Sequence, residues 1–169
     1  PTSPNRAKST LIPRALLSAV TPHKKPLASP WPRLTYAETV ERFGTDKPDL
    51  RFGMELIEVS KIFVKSEFVV FKSALESGGV IKCLVASGCA EYTRKQLDEL
   101  TANAKELGAK GLVSLALTAD GPKGPAAKFI NEVEQAGLIK LTGAKTGDLI
   151  LFVADQARIV HKVLGNLRL

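Results

Sequence analysis

The chain has 169 residues, 44% of them apolar and 24% charged, with a formal net charge of +7. That length holds one ordinary domain with a real core, and no apolar run approaches the ~20 residues that a membrane-spanning helix needs. The charge is uneven: residues 1–34 carry Arg6, Lys8, Arg14, Lys24, Lys25 and Arg33 and no acid, whereas residues 35–169 hold 18 bases against 17 acids. The basicity belongs to a tail and not to the fold, which argues against a nucleic-acid-binding domain inferred from bulk charge alone.

The tail also holds seven of the ten prolines: Pro1, Pro4, Pro13, Pro22, Pro26, Pro30 and Pro32. Proline fixes φ and removes a backbone donor, so neither helix nor ladder propagates through that spacing. Residues 1–30 therefore read as a disordered, basic, proline-rich tail. Three roles stay open for it: a solvated leader, an acid-poor organelle-targeting leader, or an arm that binds phosphate by counterion release.

Ordered structure is expected to begin near Trp31. Thr35-Tyr-Ala-Glu38 has the spacing of a capping box, followed by a short helix that should end at Gly44. Thr45–Leu50 is a turn around Pro48, and short strands are expected over Glu55–Val59 and Val69–Phe71. Ser77-Gly-Gly79 punctuates the chain before a strand over Val80–Val85. Thr93-Arg-Lys-Gln96 gives a second capping box, opening a helix whose Leu97, Leu100, Ala104 and Leu107 form one stripe, closed by Gly108. A strand over Leu112–Thr118 leads into a loop at Asp120–Pro125. A helix around Lys128–Ala136 should bury Phe129, Ile130 and Val133, and Asp148–Val153 is the most strand-like run. Asp155 is placed to cap a last helix with Ala157, Val160, Val163, Leu164 and Leu167 on one face. Alternation of this kind is open to a parallel α/β fold or a two-layer α+β sandwich.

Few residues carry a chemical signature. Gly143-Ala-Lys-Thr-Gly-Asp148 fails the phosphate-loop pattern, with no glycine before its lysine and Gly137 off register. In Pro122-Lys-Gly-Pro-Ala-Ala-Lys128, Lys123 and Lys128 are weak candidates for anion or tRNA contact, against the plainer reading of a solvated turn. Asp46, Pro48, Asp49 and Arg51 are candidates for a structural turn, in which Asp49 can pair with Arg51. His161 flanks the stripe of the last helix. Cys83 and Cys89, separated by five residues, lack zinc spacing and read as buried or incidental thiols in a reducing compartment. No catalytic, cofactor-binding or metal-binding residue is assigned.

The run from Arg33 to Glu55, with Thr45-Asp-Lys-Pro-Asp-Leu-Arg-Phe-Gly53 unbroken, resembles a segment of bacterial-type aspartyl-tRNA synthetases. There the chain leaves the catalytic domain for a large inserted module, the GAD domain, which certain tRNA-dependent amidotransferases share. Ser77–Lys82, Leu107–Leu112, Lys123–Phe129, Gly147–Asp155 and Leu164–Arg168 extend the resemblance in the family's order. It implies a two-layer α+β fold, a small, mainly antiparallel sheet with helices on one face. With the tail over 1–30 read from composition, it also implies a lead-in 31–54 with the signature turn and a GAD-like domain 55–169.

The Phe-Arg-x-Glu pattern and the glycine-rich ATP-binding stretch of class II synthetases are absent from this sequence, and the chain stops where the family returns to its catalytic domain. The resemblance therefore implies a non-catalytic portion of an aspartate–tRNA ligase. ATP and magnesium serve the parent enzyme and no cofactor serves this chain. The implied partners are the parent's catalytic domain and tRNA, with the parent a homodimer and no membrane involved. The cytoplasm is the expected compartment, or an organelle if the tail is a targeting leader. The alternatives are a stand-alone RNA- or synthetase-binding module and a fragment of an amidotransferase subunit.

Overall fold

The computed structural model describes residues 33–169, together with Ala19. The readings of the tail over 1–30 fall outside the described residues.

The first helix, α1 (Tyr36–Phe43), starts where Thr35 Oγ1 accepts from the Glu38 amide and the Glu38 carboxylate accepts from the Thr35 amide at 2.7 Å. It stops at Gly44, whose φ of 74° is the left-handed conformation that glycine adopts without steric cost. β1 (Ile57–Glu58) is only two residues long, shorter than the strand expected over Glu55–Val59. Val69–Phe71, expected as a strand, is instead the first turn of α2 (Val69–Glu76). Packing overrides β propensity there: Phe71 must reach Phe63 at 4.8 Å and Phe152 at 5.6 Å between ring centroids.

β2 (Val80–Ala86) and α3 (Arg94–Glu106) follow as expected, with Thr93 and Gln96 closing the second capping box. β3 (Val113–Thr118) turns back at once into β4 (Gly121–Lys123), so part of the expected loop is an edge strand. Pro122 is tolerated on that edge. α4 (Glu132–Thr142) begins later than the sequence suggests, because Asn131 supplies the cap and Glu134 completes its box. Phe129 and Val133 are consequently exposed, and only Ile130 of the expected trio packs on the core. β5 (Leu149–Asp155) leads through Gln156, not Asp155, into α5 (Ala157–Leu167). Asp155 is held in the ladder opposite Val80, which removes it from the capping position.

The strands form one antiparallel sheet in the order β1-β2-β5-β3-β4, confirming the α+β class. The layering differs from the expected one-sided arrangement. Ile81, Cys83, Leu115, Ile150 and Phe152 face one core with Phe71 of α2 and Leu138 of α4. Leu84 and Val153 face a second core with Ala104 of α3 and Val160, Val163 and Leu164 of α5. A strand such as β5, buried along nearly its whole length, is apolar on both faces and needs cover on both.

Helices α1 and α5 cross without intervening side chains. A Cβ on Gly165 would lie 2.9 Å from the Phe43 carbonyl oxygen, and one on Gly44 would lie 2.2 Å from that of His161. Gly165→Ala should therefore cost about 1–3 kcal/mol, read as a lower urea midpoint, because backbone must move to admit the methyl. Gly111→Ala meets nothing within 4 Å and should stay within about 0.5 kcal/mol of the parent chain.

Candidate functional site

At one end of the fold α1 and the signature turn that follows it meet the C-terminal half of α5, more than a hundred residues later in the chain. Their junction is Arg168, 4% exposed. Its Nε donates to the Met54 carbonyl at 2.9 Å, and its Nη2 donates to those of Asp49 at 2.5 Å, Gly53 at 3.2 Å and Phe52 at 3.3 Å. The guanidinium lies between two rings, 4.9 Å from the centroid of Phe43 and 4.5 Å from that of Phe52. A planar fork of donors suits a turn whose carbonyls converge, and the flanking rings supply cation–π attraction. Met54 adopts a φ of 67°, uncommon for a residue with a side chain, so the turn carries strain that these bonds offset.

Within the turn, Asp49 accepts from the Arg51 amide at 2.9 Å and from the Arg51 guanidinium at 2.5 Å. The Arg51 side chain and amide together hold the Asp49 carboxyl down to about 2. Arg42 of α1 grips Glu55 through two bonds, at 2.8 Å and 2.5 Å, and that pairing lowers the Glu55 carboxyl. The turn is thus tied at both ends.

Beneath α1 lies an ionic cluster. Lys82 of β2 is 2% exposed, and its Nζ donates to the Glu41 carbonyl at 3.0 Å and to the Glu41 carboxylate. Burying an ammonium is costly unless it is paired, and Glu41 reaches in from a partly open position to do so. His161 Nε2 stands 3.4 Å from the other Glu41 oxygen, too poorly aligned for a hydrogen bond, and has no other partner among the described residues. Hydrogen bonding to Lys82 lowers the Glu41 carboxyl. Burial, with Lys82 beside it, lowers the His161 imidazole, while Glu41 and Glu58 oppose that shift. Outside the cluster, α1 and α5 bound a cleft of about 660 Å³, lined by Tyr36, Lys47, Arg158, Lys162, Asn166 and Leu169 among others.

The structure brings the candidate turn residues together and leaves the two loop lysines apart. Asp49 and Arg51 pair, Pro48 sits between them and Asp46, and Asp46 faces the cleft. Lys123 pairs with Asp120 at 2.9 Å on the opposite edge of the sheet, and Lys128 lies exposed in the following turn. The amides of Ala127, Phe129 and Ile130 bond loop carbonyls, and α4 opens with Glu132 and Glu134, which opposes an anion there. Cys83 is buried, its thiol pushed up to about 12, so it is inert.

Among the described residues no three of His, Cys, Asp and Glu group as metal ligands, and no helix is long and apolar enough to cross a membrane. The Asp49 carboxylate is taken by Arg51 and that of Glu41 by Lys82, so these donors do not fit a magnesium–nucleotide. What the arrangement can do is hold a surface in place. Sequence reasoning missed Arg168, Glu41 and Lys82. A lone lysine inside the apolar run Val80–Val85, and a lone arginine just beyond an apolar helix stripe, were the available signals.

Comparison with known proteins accords with this geometry. The family model described as GAD domain matches residues 71–164, more than half the chain, and the protein belongs to that family. It is 50% identical over 146 residues to the aspartate–tRNA(Asp/Asn) ligase of Rubrobacter xylanophilus, covering 86% of this chain and 24% of that ligase. With the corresponding ligase of Caldanaerobacter subterraneus it shares 52% over 139 residues, 82% of this chain and 24% of that one. With the aspartate–tRNA ligase of Shouchella clausii it shares 49% over 148 residues, 87% and 25% respectively. The chain therefore spans about a quarter of the length of the curated relatives it matches.

Two outcomes follow from the geometry. Arg168→Ala should cost about 3 kcal/mol and speed amide exchange across Arg51–Glu55, because four carbonyls in a part-buried space lose a charged donor. Arg168→Lys should restore little, since an ammonium cannot fork across them. For His161 the folded pKa lies below 6.5, so the unfolded chain binds the extra proton and stability rises with pH. The urea midpoint should therefore fall between about pH 7 and pH 5, and His161→Gln should flatten that slope.

Proposed function

We propose that this chain serves as the GAD-containing portion of an aspartate–tRNA ligase and does no chemistry alone. The observation that carries the proposal is the extent of the match. A shared run of 148 residues in a chain of 169 contains α1 and the signature turn wherever it begins, well outside the GAD family match at 71–164. The likeness is thus to a stretch of ligase and not only to a domain that other enzymes carry, which favours the ligase over an amidotransferase subunit.

In this reading the parent enzyme joins aspartate to ATP, releases pyrophosphate and passes the aspartyl group to tRNA. Magnesium would neutralise phosphate charge in a catalytic domain outside this chain. The residues here position that domain relative to the GAD fold. tRNA, a second copy of the parent and a cytoplasmic setting belong to the same proposal.

An antibody raised against residues 35–169 should detect a band several-fold larger than this chain in the soluble fraction of source cells. The purified chain should show no aspartate-dependent exchange between ATP and pyrophosphate. A band only at the size of the chain itself would favour a stand-alone binding module, and detectable exchange would place chemistry within these residues.

A further inference from the structure

We propose that the apolar face formed by the turn around Val64, the start of α2 and the start of α4 is a self-association surface. Its occupant is the same face of a second copy of this chain, turned about a two-fold axis. The face is read from this fold alone and does not depend on the ligase reading.

Val64 is 69% exposed, Val69 73% and Val133 82%. Val64 lines two adjoining grooves, one of about 580 Å³ with Val133 of α4 and one of about 440 Å³ with Val69 of α2. The three valines therefore belong to one patch. Phe68 and Phe129 extend it, their rings stacked at 5.0 Å between centroids with Phe129 still 45% exposed. Single exposed apolar residues need no explanation, but on the order of 400 Å² gathered in one place marks an interaction surface.

The patch is also rigid. Phe63 and Ser66, around Val64, are buried, and the amides of Ile62, Phe63 and Ser66 bond back to the carbonyls of Val59, Ser60 and Phe63. Ile62 lies against Gly137 of α4, which holds the turn to that helix. A surface that needs no ordering on contact loses less to entropy when it binds.

Charge decides the occupant. Lys61 and Lys65 of the turn, Glu67 before α2 and Glu132 at the start of α4 rim the two grooves. None of the four pairs with an opposite charge among the described residues. Lys72 and Glu76 pair with each other, and Glu134 is taken up in the cap of α4. The rim thus offers two bases and two acids. A two-fold contact sets each residue of one copy against a different residue of the other, and the reverse, so a rim balanced in sign can match itself. A lipid surface would bury carboxylates at a cost, and a strongly acidic or basic partner would meet like charge on half of the rim. The cleft between α1 and α5, with Lys47, Arg158 and Lys162 against Asp46, is one-sided and would repel a copy of itself. Two of the apolar patches with their rims fall near the lower bound of about 1,200 Å² for a stable interface, so the dimer is weak and concentration-dependent.

Sedimentation velocity of the purified chain across roughly 1–100 μM tests this, the range in which a small interface populates both states. The mean mass should rise from 18.2 kDa toward twice that value. Val133→Asp, which suits the first turn of α4 and keeps the fold, should remain monomeric. Lys61→Glu with Lys65→Glu, and separately Glu67→Lys with Glu132→Lys, should each be monomeric too. An equimolar mixture of these two charge-reversed chains should associate again, which a folding defect could not produce. An unsubstituted chain that is monomeric throughout would overturn the proposal, and slow hydroxyl-radical labelling of Phe129 in that monomer would assign the face to another segment of the same chain. Association that survives Val133→Asp, or charge-reversed chains that fail to associate on mixing, would overturn it as well.

Discussion

One buried guanidinium holds together parts of the chain that are more than a hundred residues apart. Arg168 satisfies carbonyls of Asp49, Phe52, Gly53 and Met54, the first of them at a sequence separation of 119. Without it the turn would present several unpaired oxygens to a half-buried space while Met54 remained strained. The rings of Phe43 and Phe52 flank the same group, so α1, the turn and the end of α5 share one fastener. The direct backbone contact of Gly44 and Gly165 is the steric counterpart, since the two helices can sit close enough only if neither carries a side chain there.

The sheet imposes a second constraint. Because β2 and β5 are covered on both faces, any polar residue on either face is buried, and Lys82 is such a residue. Its ammonium finds the carbonyl and carboxylate of Glu41, so the sheet and α1 are tied by charge as well as by packing. Such pairs seldom add net stability over apolar residues, but they penalise every arrangement in which α1 is misplaced. His161, close to the same carboxylate yet unbonded, makes the tie sensitive to acid: a second cation would then compete for Glu41.

How far the sequence revealed this depends on whether the information was local. The capping boxes at Thr35 and Thr93 and the left-handed Gly44 were legible because four or five adjacent residues suffice to make them. The start of α2 was not, since the aromatic contacts of Phe71 involve residues as distant as Phe152. α4 was misplaced for a related reason: Asn131 caps it, but Phe129 and Ile130 imitate a helical stripe just before the cap. The Asp49–Arg51 pair could be read from spacing, whereas Arg168 and Lys82 could not, because their partners are distant in sequence. The two-sided cover was hidden behind the family likeness, although β5 is a continuous apolar run and itself asked for it.

Order of assembly follows from the same distances. Closing a loop of more than a hundred residues costs about 4 kcal/mol of chain entropy, more than the signature turn recovers from its own short-range bonds. The sheet and its helices must therefore bring α5 into position before Arg168 can meet the turn. α5 serves both tasks through adjoining faces, with Val160, Val163 and Leu164 against the sheet and His161, Gly165 and the following Arg168 toward α1 and the turn. The GAD fold thus preorganises the junction of α1, the signature turn and the end of α5.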